Sequence, residues 1–409
     1  MGFSVEQECP QCGAPIELDE TDRLFRCPYC GVKSMLFAPD YFRYILPNMT
    51  PDRDIIYAPY LRFKGSVFFC RDLTTGHRIV DITHPGLVLE GLPVSLGLRP
   101  QAMKLRYMNP GTEGTFLRFS LKASDILSRA ARISPGTSGS PVLHRAFIGE
   151  TMSLIYFPLY LKGETLVDAV INRPVAGVPG GREGLEPSIS KKDRWDIAFI
   201  PTLCPACGWD LKGDRDSVVL LCENCETAWD GAKGRLNQVE CAFMPGRGER
   251  SSYLPFWKIT ANAGGLELRS FADFIRITNQ PVLTEGAWEE EEMSFWSPAF
   301  KIRPRLFLSL ARNLTVTRKR FKAEEGVFPE KKPFPVTLPA SEAAQALKII
   351  LAVSAANKRN IFPHLPRIRF EIKDLALVYL PFDETGHDMI QQDTGISVNK
   401  RSLVYGRTL

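Results

Sequence analysis

Across residues 55–69 the sequence IIYAPYLRFKGSVFF is a near-continuous run of apolar, aromatic and β-branched positions, which predicts two strands joined by a Lys64-Gly65 turn. Pro59 has no N–H to donate, which assigns the first of them to an edge or a bulge. Shorter strands are expected at 78–82, 87–89, 104–108 and 115–120, the last two flanking an Asn109-Pro110-Gly111 turn. The period changes over 122–133, where Ile126, Leu127, Ala130 and Ile133 fall at helical spacing behind Ser124, a capping residue type. Ser134-Pro135-Gly136 stops that helix. Strand character returns over 142–161 and reaches a second Lys-Gly pair, Lys162-Gly163. From Asn172 to Asp193 the chain is rich in Pro and Gly with little to pack, and it reads as a linker.

Cysteines frame this pattern. Cys9, Cys12, Cys27 and Cys30 have the spacing C-x2-C-x14-C-x2-C, and Cys204, Cys207, Cys222 and Cys225 repeat it 195 positions later. Two thiolates two residues apart fit on one tight turn, and two such turns complete a tetrahedron around a borderline-soft ion. Gly13, Gly31 and Gly208 follow the second Cys of three turns, where positive φ lets N–H groups face sulfur, whereas the fourth turn has Glu226. The motif resembles the zinc-ribbon family in its CPxCG form, over 9–30 and 204–225. The resemblance implies two structural zinc ions per chain, each with a filled coordination shell. Disulfides and a rubredoxin-type iron site are the alternatives.

After the second Cys set the apolar pattern also starts again. Tyr253-Leu254-Pro255-Phe256 follows Tyr57-Ala58-Pro59-Tyr60 at an offset of 196, and Arg303-Pro304 follows Arg99-Pro100 at 204. Residues 340–348, again read as a capped helix, follow 123–131 at 217, and Tyr379-Leu380-Pro381-Phe382 follows Tyr156-Phe157-Pro158-Leu159 at 223. An offset that only grows is what small insertions in a second copy produce. The expected fold class is therefore α+β and β-rich. Two tandem homologous modules are expected, each a four-cysteine ribbon followed by an antiparallel β unit with one main helix. The boundaries are 1–36 (first ribbon), 37–171 (first β unit), 172–194 (linker), 195–235 (second ribbon) and 236–409 (second β unit). The repeated Tyr-x-Pro strands read as core edges, and the repeated Arg-Pro as a strand start with a nearby carboxylate.

Composition adds limits. At 409 residues, 24% charged and 44% hydrophobic, the chain has the make-up of a globular protein of two or three domains. A net charge of +5 permits an anionic partner without requiring one. No apolar run reaches the roughly 18 residues of a membrane span, and the first residues lack a signal pattern, so a reducing, cytoplasmic setting is expected. Cys70 and Cys241, outside the two sets, sit among apolar residues and read as core.

Two further features bear on function. Pro135-Gly136-Thr137-Ser138-Gly139-Ser140-Pro141 resembles the nucleophile loop of trypsin-like serine peptidases, which implies Ser138 as nucleophile and His77 or His84 as base. Its counterpart in the second half, 357–363, has no Ser-Gly, and a helix stop accounts for the loop more simply. Arg318, Lys319, Arg320 and Lys322 surround Phe321 and offer a nucleic-acid contact, although Glu289 to Glu292 and Glu324-Glu325 interrupt the region. The expectation is a non-enzymatic zinc-binding scaffold or adaptor that presents β-rich surfaces to a protein partner. Nucleic-acid binding is the alternative, and a Ser138 peptidase the remote one.

Overall fold

The computed structural model describes residues 2–50, 52–109, 111–132 (backbone alone at 128–132), 141–186, 195–231, 234–246, 251–317, 328–329 and 331–407. The fold is mixed α and β and rich in strand. The first ribbon contributes β1 (Ser4–Glu8), β2 (Pro15–Asp19), β3 (Leu24–Arg26) and β4 (Lys33–Phe37), paired as two antiparallel hairpins. There follow β5 (Phe42–Ile45), β6 (Ile55–Arg71), β7 (Thr74–Pro85), α1 (Arg99–Ala102), β8 (Leu105–Tyr107), β9 (Thr115–Phe116) and α2 (Ala123–Arg132). β10 (His144–Lys162), β11 (Thr165–Asp168), β12 (Arg173–Gly177) and α3 (Gly181–Leu185) complete this half. β1, β2 and β5 to β12 form one ten-stranded sheet.

The second ribbon uses β13 (Ala198–Pro201), β14 (Val219–Cys222), β15 (Thr227–Asp230) and β16 (Asn237–Val239). Beyond it come β17 (Cys241–Phe243), β18 (Ser251–Gly264), α4 (Phe271–Ile277), α5 (Ala287–Glu290), β19 (Ser294–Pro298) and α6 (Pro304–Val316). The chain closes with α7 (Ala340–Gln345), α8 (Leu347–Ser354), β20 (Arg369–Thr385), β21 (Asp388–Ile390), β22 (Ser397–Asn399) and α9 (Lys400–Gly406). β17 to β22 form a six-stranded sheet.

Each sheet is built on one long antiparallel pair that joins its two Tyr-x-Pro strands. In β6 and β10, Pro59 lies opposite Tyr156 and Tyr57 opposite Pro158. In β18 and β20, Pro255 lies opposite Tyr379 and Tyr253 opposite Pro381. These strands are central, which corrects the expectation of edges. A residue's N–H and C=O leave a strand on the same side. The Pro59 C=O accepts the Gly86 N–H at 2.7 Å, so the missing donor faces the gap where β7 ends, at Tyr60 opposite Pro85, and β9 ends, at Tyr57 opposite Phe116. No ladder bond is lost, because none is called for there.

The same hydrogen bonds recur around both pairs. Leu117 N–H donates to the Tyr57 C=O at 2.9 Å, and Phe334 N–H to the Tyr253 C=O at 2.9 Å. Ser120 and Leu121 N–H groups meet the Gly86 C=O, as Thr337 and Leu338 N–H groups meet that of Ala299. Asn172 N–H bonds the Asp168 C=O at 2.9 Å with φ 54°, and Gly395 N–H bonds the Gln391 C=O at 2.8 Å with φ 70°.

Several expectations change. β6 is a single strand with no turn at Lys64-Gly65. Gly65 is needed because β10 bulges at Gly149-Glu150, and a Cβ at 65 would lie 2.9 Å from the Glu150 Cα. Residues 87–89 are loop, not strand. The start of the supposed linker forms β12 and α3, and Pro174 is tolerated because β12 is the outermost strand of its sheet. Parallel pairs, β5 with β10 and β17 with β20, make the sheets mixed instead of antiparallel, since long connections bring the partner strand back in the same direction. The second half has more than one main helix, with α6 alone covering 13 residues. Arg99-Pro100 and Arg303-Pro304 open helices, where proline costs no hydrogen bond, and Arg99 pairs with Asp168 at 2.9 Å. Ser341 lies inside α7, whose N-cap is Pro339.

The two halves share a core. Phe68, Cys70, Ala146 and Ile148, at the far end of β6 and β10, join the apolar cluster of the second half, and the Phe68 and Phe307 rings lie 5.5 Å apart. A polar contact crosses the same boundary. The Glu342 carboxylate on α7 accepts the N–H groups of Gly149 at 2.5 Å and Glu150 at 3.1 Å, and Lys301 Nζ donates to Thr151 Oγ1 at 3.3 Å. Burial, reinforced by the charge of Glu342, pushes the Glu150 carboxyl up to about 8, and burial pushes Glu342 up to about 7. Burial also lowers Lys301 to about 8.

A carboxyl raised in the folded state stabilises most below its ordinary pKa and loses that contribution as pH rises through the raised value. Lys301 works in the opposite direction, but its charge is constant until about pH 7. Burial lowers His144 to about 4, so that group adds stability as pH rises over the same window. Between pH 5 and 7 Glu150→Gln should therefore make the slope of stability against pH more positive than in the unchanged protein in urea titrations. Equal slopes for both proteins would refute the assignment.

Candidate metal centres

Each four-cysteine set is assembled from two hairpin turns. Cys9 and Cys12 lie between β1 and β2, and Cys27 and Cys30 between β3 and β4. In the second ribbon, Cys204 and Cys207 lie between β13 and β14, and Cys222 and Cys225 sit at the turn from β14 to β15. Within each set every sulfur lies within 4.8 Å of the others. The Cys9–Cys30 and Cys12–Cys27 separations are 3.7 Å, and the Cys204–Cys225 and Cys207–Cys222 separations are 3.5 Å. A tetrahedron with metal–sulfur bonds of about 2.3 Å has edges of about 3.8 Å, so both sets fit one ion each. All ten cysteines are free thiols, which sets the disulfide alternative aside.

The turns aim donors at sulfur. Gly13, Gly31 and Gly208 have φ of 71°, 77° and 75°, and each closes its turn on the C=O of Cys9, Cys27 or Cys204. Burial opposes ionisation of Cys204, yet the N–H groups of Cys207 and Ala206 with the Thr227 hydroxyl hold its thiol down, at about 6. At Cys27 burial is likewise outweighed by the N–H groups of Cys30 and Tyr29, again to about 6. Thr227 is a participant that Cys spacing does not reveal. Its Oγ1 lies 3.1 Å from Cys225 Sγ and accepts the Trp229 Nε1–H at 2.8 Å.

Glu226 occupies the left-handed region at φ 56° where the other three turns use glycine. That conformation costs a residue with a Cβ about 1 kcal/mol. Glu226→Gly should accordingly raise stability by about 1 kcal/mol in urea unfolding with the metal content unchanged. A loss of stability would mean that the Glu226 side chain has a structural role of its own.

The two centres adjoin. β13 pairs with β4, and the N–H groups of Arg23 and Leu24 both reach the Arg215 C=O, at 2.6 and 2.8 Å. Leu24 and Met35 of the first ribbon pack with Ile200, Leu211, Leu220 and Trp229 of the second, and Cys204 and Cys222 belong to that cluster. Asp22 pairs with Arg215, and Lys33 with Asp210 at 2.9 Å. Behind the first ribbon, Glu20 and Arg62, each 1% exposed, form a two-bond pair at 2.8 and 3.2 Å that fixes the ribbon to β6.

Ser138, Arg318, Lys319, Arg320 and Lys322 lie outside the described residues. His84 Nδ1 lies 2.8 Å from the C=O of Pro85, and the His77 ring lies 6.3 Å from that of Phe68. Cys70 is buried in the shared core, where burial pushes its thiol up to about 11, and Cys241 is half-buried and pushed up to about 12 by the same cause. Among the described residues no helix is long and apolar enough to cross a membrane. Comparison with protein families, curated proteins and solved structures gives no match.

Proposed function

We propose that this protein is a non-enzymatic zinc-binding scaffold, built by tandem duplication of a ribbon-plus-sheet module, that presents its surfaces to a protein partner in a reducing cytoplasmic setting. The observation that carries the reading is the pair of ligand sets. Four thiolates per ion fill a tetrahedral shell and leave no position for a substrate water, which makes the role of both ions architectural. Zinc is favoured over iron by the resemblance of both motifs to the zinc ribbon in its CPxCG form, since four thiolates in a tetrahedron fit either metal. The duplication is supported by the matched Cys spacing and by the hydrogen bonds that recur in both halves, at the motif offsets of 196, 217 and 223 except where Ala299 takes the place of Gly86 at 213.

The test is elemental analysis together with activity profiling of purified full-length protein. Two zinc per chain and no labelling by a serine-directed fluorophosphonate are expected. Labelling that disappears in Ser138→Ala would replace this reading with a peptidase. A salt-dependent mobility shift with nucleic acid, lost when Arg318, Lys319 and Arg320 are changed, would replace it with the nucleic-acid reading.

A further inference from the structure

A cleft of about 670 Å³ opens where the ribbons meet, between β3 on one side and Leu211, Lys212 and Gly213 on the other, with Phe328 and Lys332 on a third wall. A recess of about 30 Å³ continues beneath Phe328 towards Val336 and Tyr379. Three features of this cleft point to a single kind of occupant.

The first is charge. Arg26, Lys33, Lys212, Arg215 and Lys332 line the cleft against two carboxylates, Glu223 and Glu226. Lys33, Arg215 and Lys332 are paired with Asp210, Asp22 and Asp214. Among the described residues Arg26 and Lys212 form no ion pair, although both, after Lys33, act on the Asp210 carboxylate from a distance, so their donors are left to a ligand. The second feature is a sheet edge that no further strand covers among the described residues. β3 is the last strand of the order β13-β4-β3. Leu36 N–H bonds the Arg23 C=O at 2.7 Å, and the alternation of an antiparallel ladder then turns the main-chain groups of Leu24 and Arg26 away from β4. Leu24 N–H is taken by the Arg215 C=O at 2.8 Å, which leaves the Leu24 C=O and both main-chain groups of Arg26 facing the cleft. The third feature is the small recess under Phe328, which has room for little more than the tip of one side chain.

We propose that the cleft binds an extended acidic segment of a partner protein. The segment adds as a strand to β3, meets Arg26 and Lys212 with its carboxylates, and turns an apolar side chain towards the recess under Phe328. Main-chain bonds to a sheet edge supply affinity, and alternate side chains supply selectivity. The open edge is what favours a peptide over a nucleic acid, which has no row of amides to continue a ladder. This inference rests on the scaffold reading and names the class of partner.

The test uses the zinc-loaded full-length protein and an array of hexapeptides alternating Asp or Glu with Leu, Val or Phe. A second array with Lys or Arg in place of the acids, and a ten-nucleotide single-stranded DNA, are the controls. Acidic peptides should bind, and the best of them should bind at least about tenfold more weakly to Arg26→Glu/Lys212→Glu. N-methylation of alternate amides should abolish binding, as a strand addition requires. Two zinc per chain in the double variant would show that its ribbons are intact; if that content fell, Lys212→Ala alone would be measured, with a loss of several-fold expected. Binding of neither array, binding unaffected by the charge changes, or DNA binding that displaces the peptide would overturn the proposal. Failure here with two zinc and no labelling of Ser138 would leave the scaffold reading standing, so the two can fail separately.

Discussion

Replacing Cys222 with Ser should lower the bound metal from two ions per chain to one and unfold more than the ribbon that loses its ion. Cys222 is fully buried, in one apolar cluster with Leu24 and Met35 of the other ribbon. A structural site of this kind contributes on the order of 10 kcal/mol to folding, far more than a small hairpin pair can replace by packing. Without the ion, 202–230 should lose its order, and β13, which pairs with β4, should loosen 33–37 as well. β1 and β2 are strands of the ten-stranded sheet and should remain protected, as should β6 and β10. Native mass spectrometry counts the ions, and amide hydrogen exchange maps the damage. Full protection at 33–37 in the variant would show that the ribbons fold independently despite their contact.

The second large effect is expected at Glu20. Its carboxylate and the Arg62 guanidinium are both almost fully buried, and Asp81 is the only other carboxylate paired with Arg62 among the described residues. Glu20→Ala leaves a buried cation with a single, partly exposed partner, and breaking such a pair from one side costs about 3–5 kcal/mol. The joint change Glu20→Leu/Arg62→Met removes both charges and should cost much less, because no unpaired ion is left behind. Urea unfolding of the single and double variants gives both numbers. A cost below about 1 kcal/mol for Glu20→Ala would mean that water reaches Arg62.

The sequence reported some things directly and hid others for identifiable reasons. The cysteine grouping depends on a local spacing, two residues within a turn and fourteen between turns, and the structure brings all eight cysteines into two sets that could each hold an ion. The Tyr-x-Pro segments were recognisable as strands, but not as partners of each other. Their placement at an edge followed from a true rule, that proline cannot serve two neighbours. The rule was met another way, by splitting the neighbouring strand on either side of the proline. Gly65 looked like a turn because the bulge that requires it, at Gly149-Glu150, is remote in sequence.

By itself, then, the sequence determined the two four-cysteine centres, the β-rich class and the recurrence of motifs along the chain, all of which depend on residues close together or on composition. Tertiary structure alone decided that the ribbons share a core, that the halves meet across Glu342 and the bulge of β10, and that a charged cleft bordered by β3 lies between the ribbons. Those features join residues nearly two hundred positions apart. Which of many possible surfaces meet is settled by the summed burial of both halves, a quantity that no local window of sequence contains.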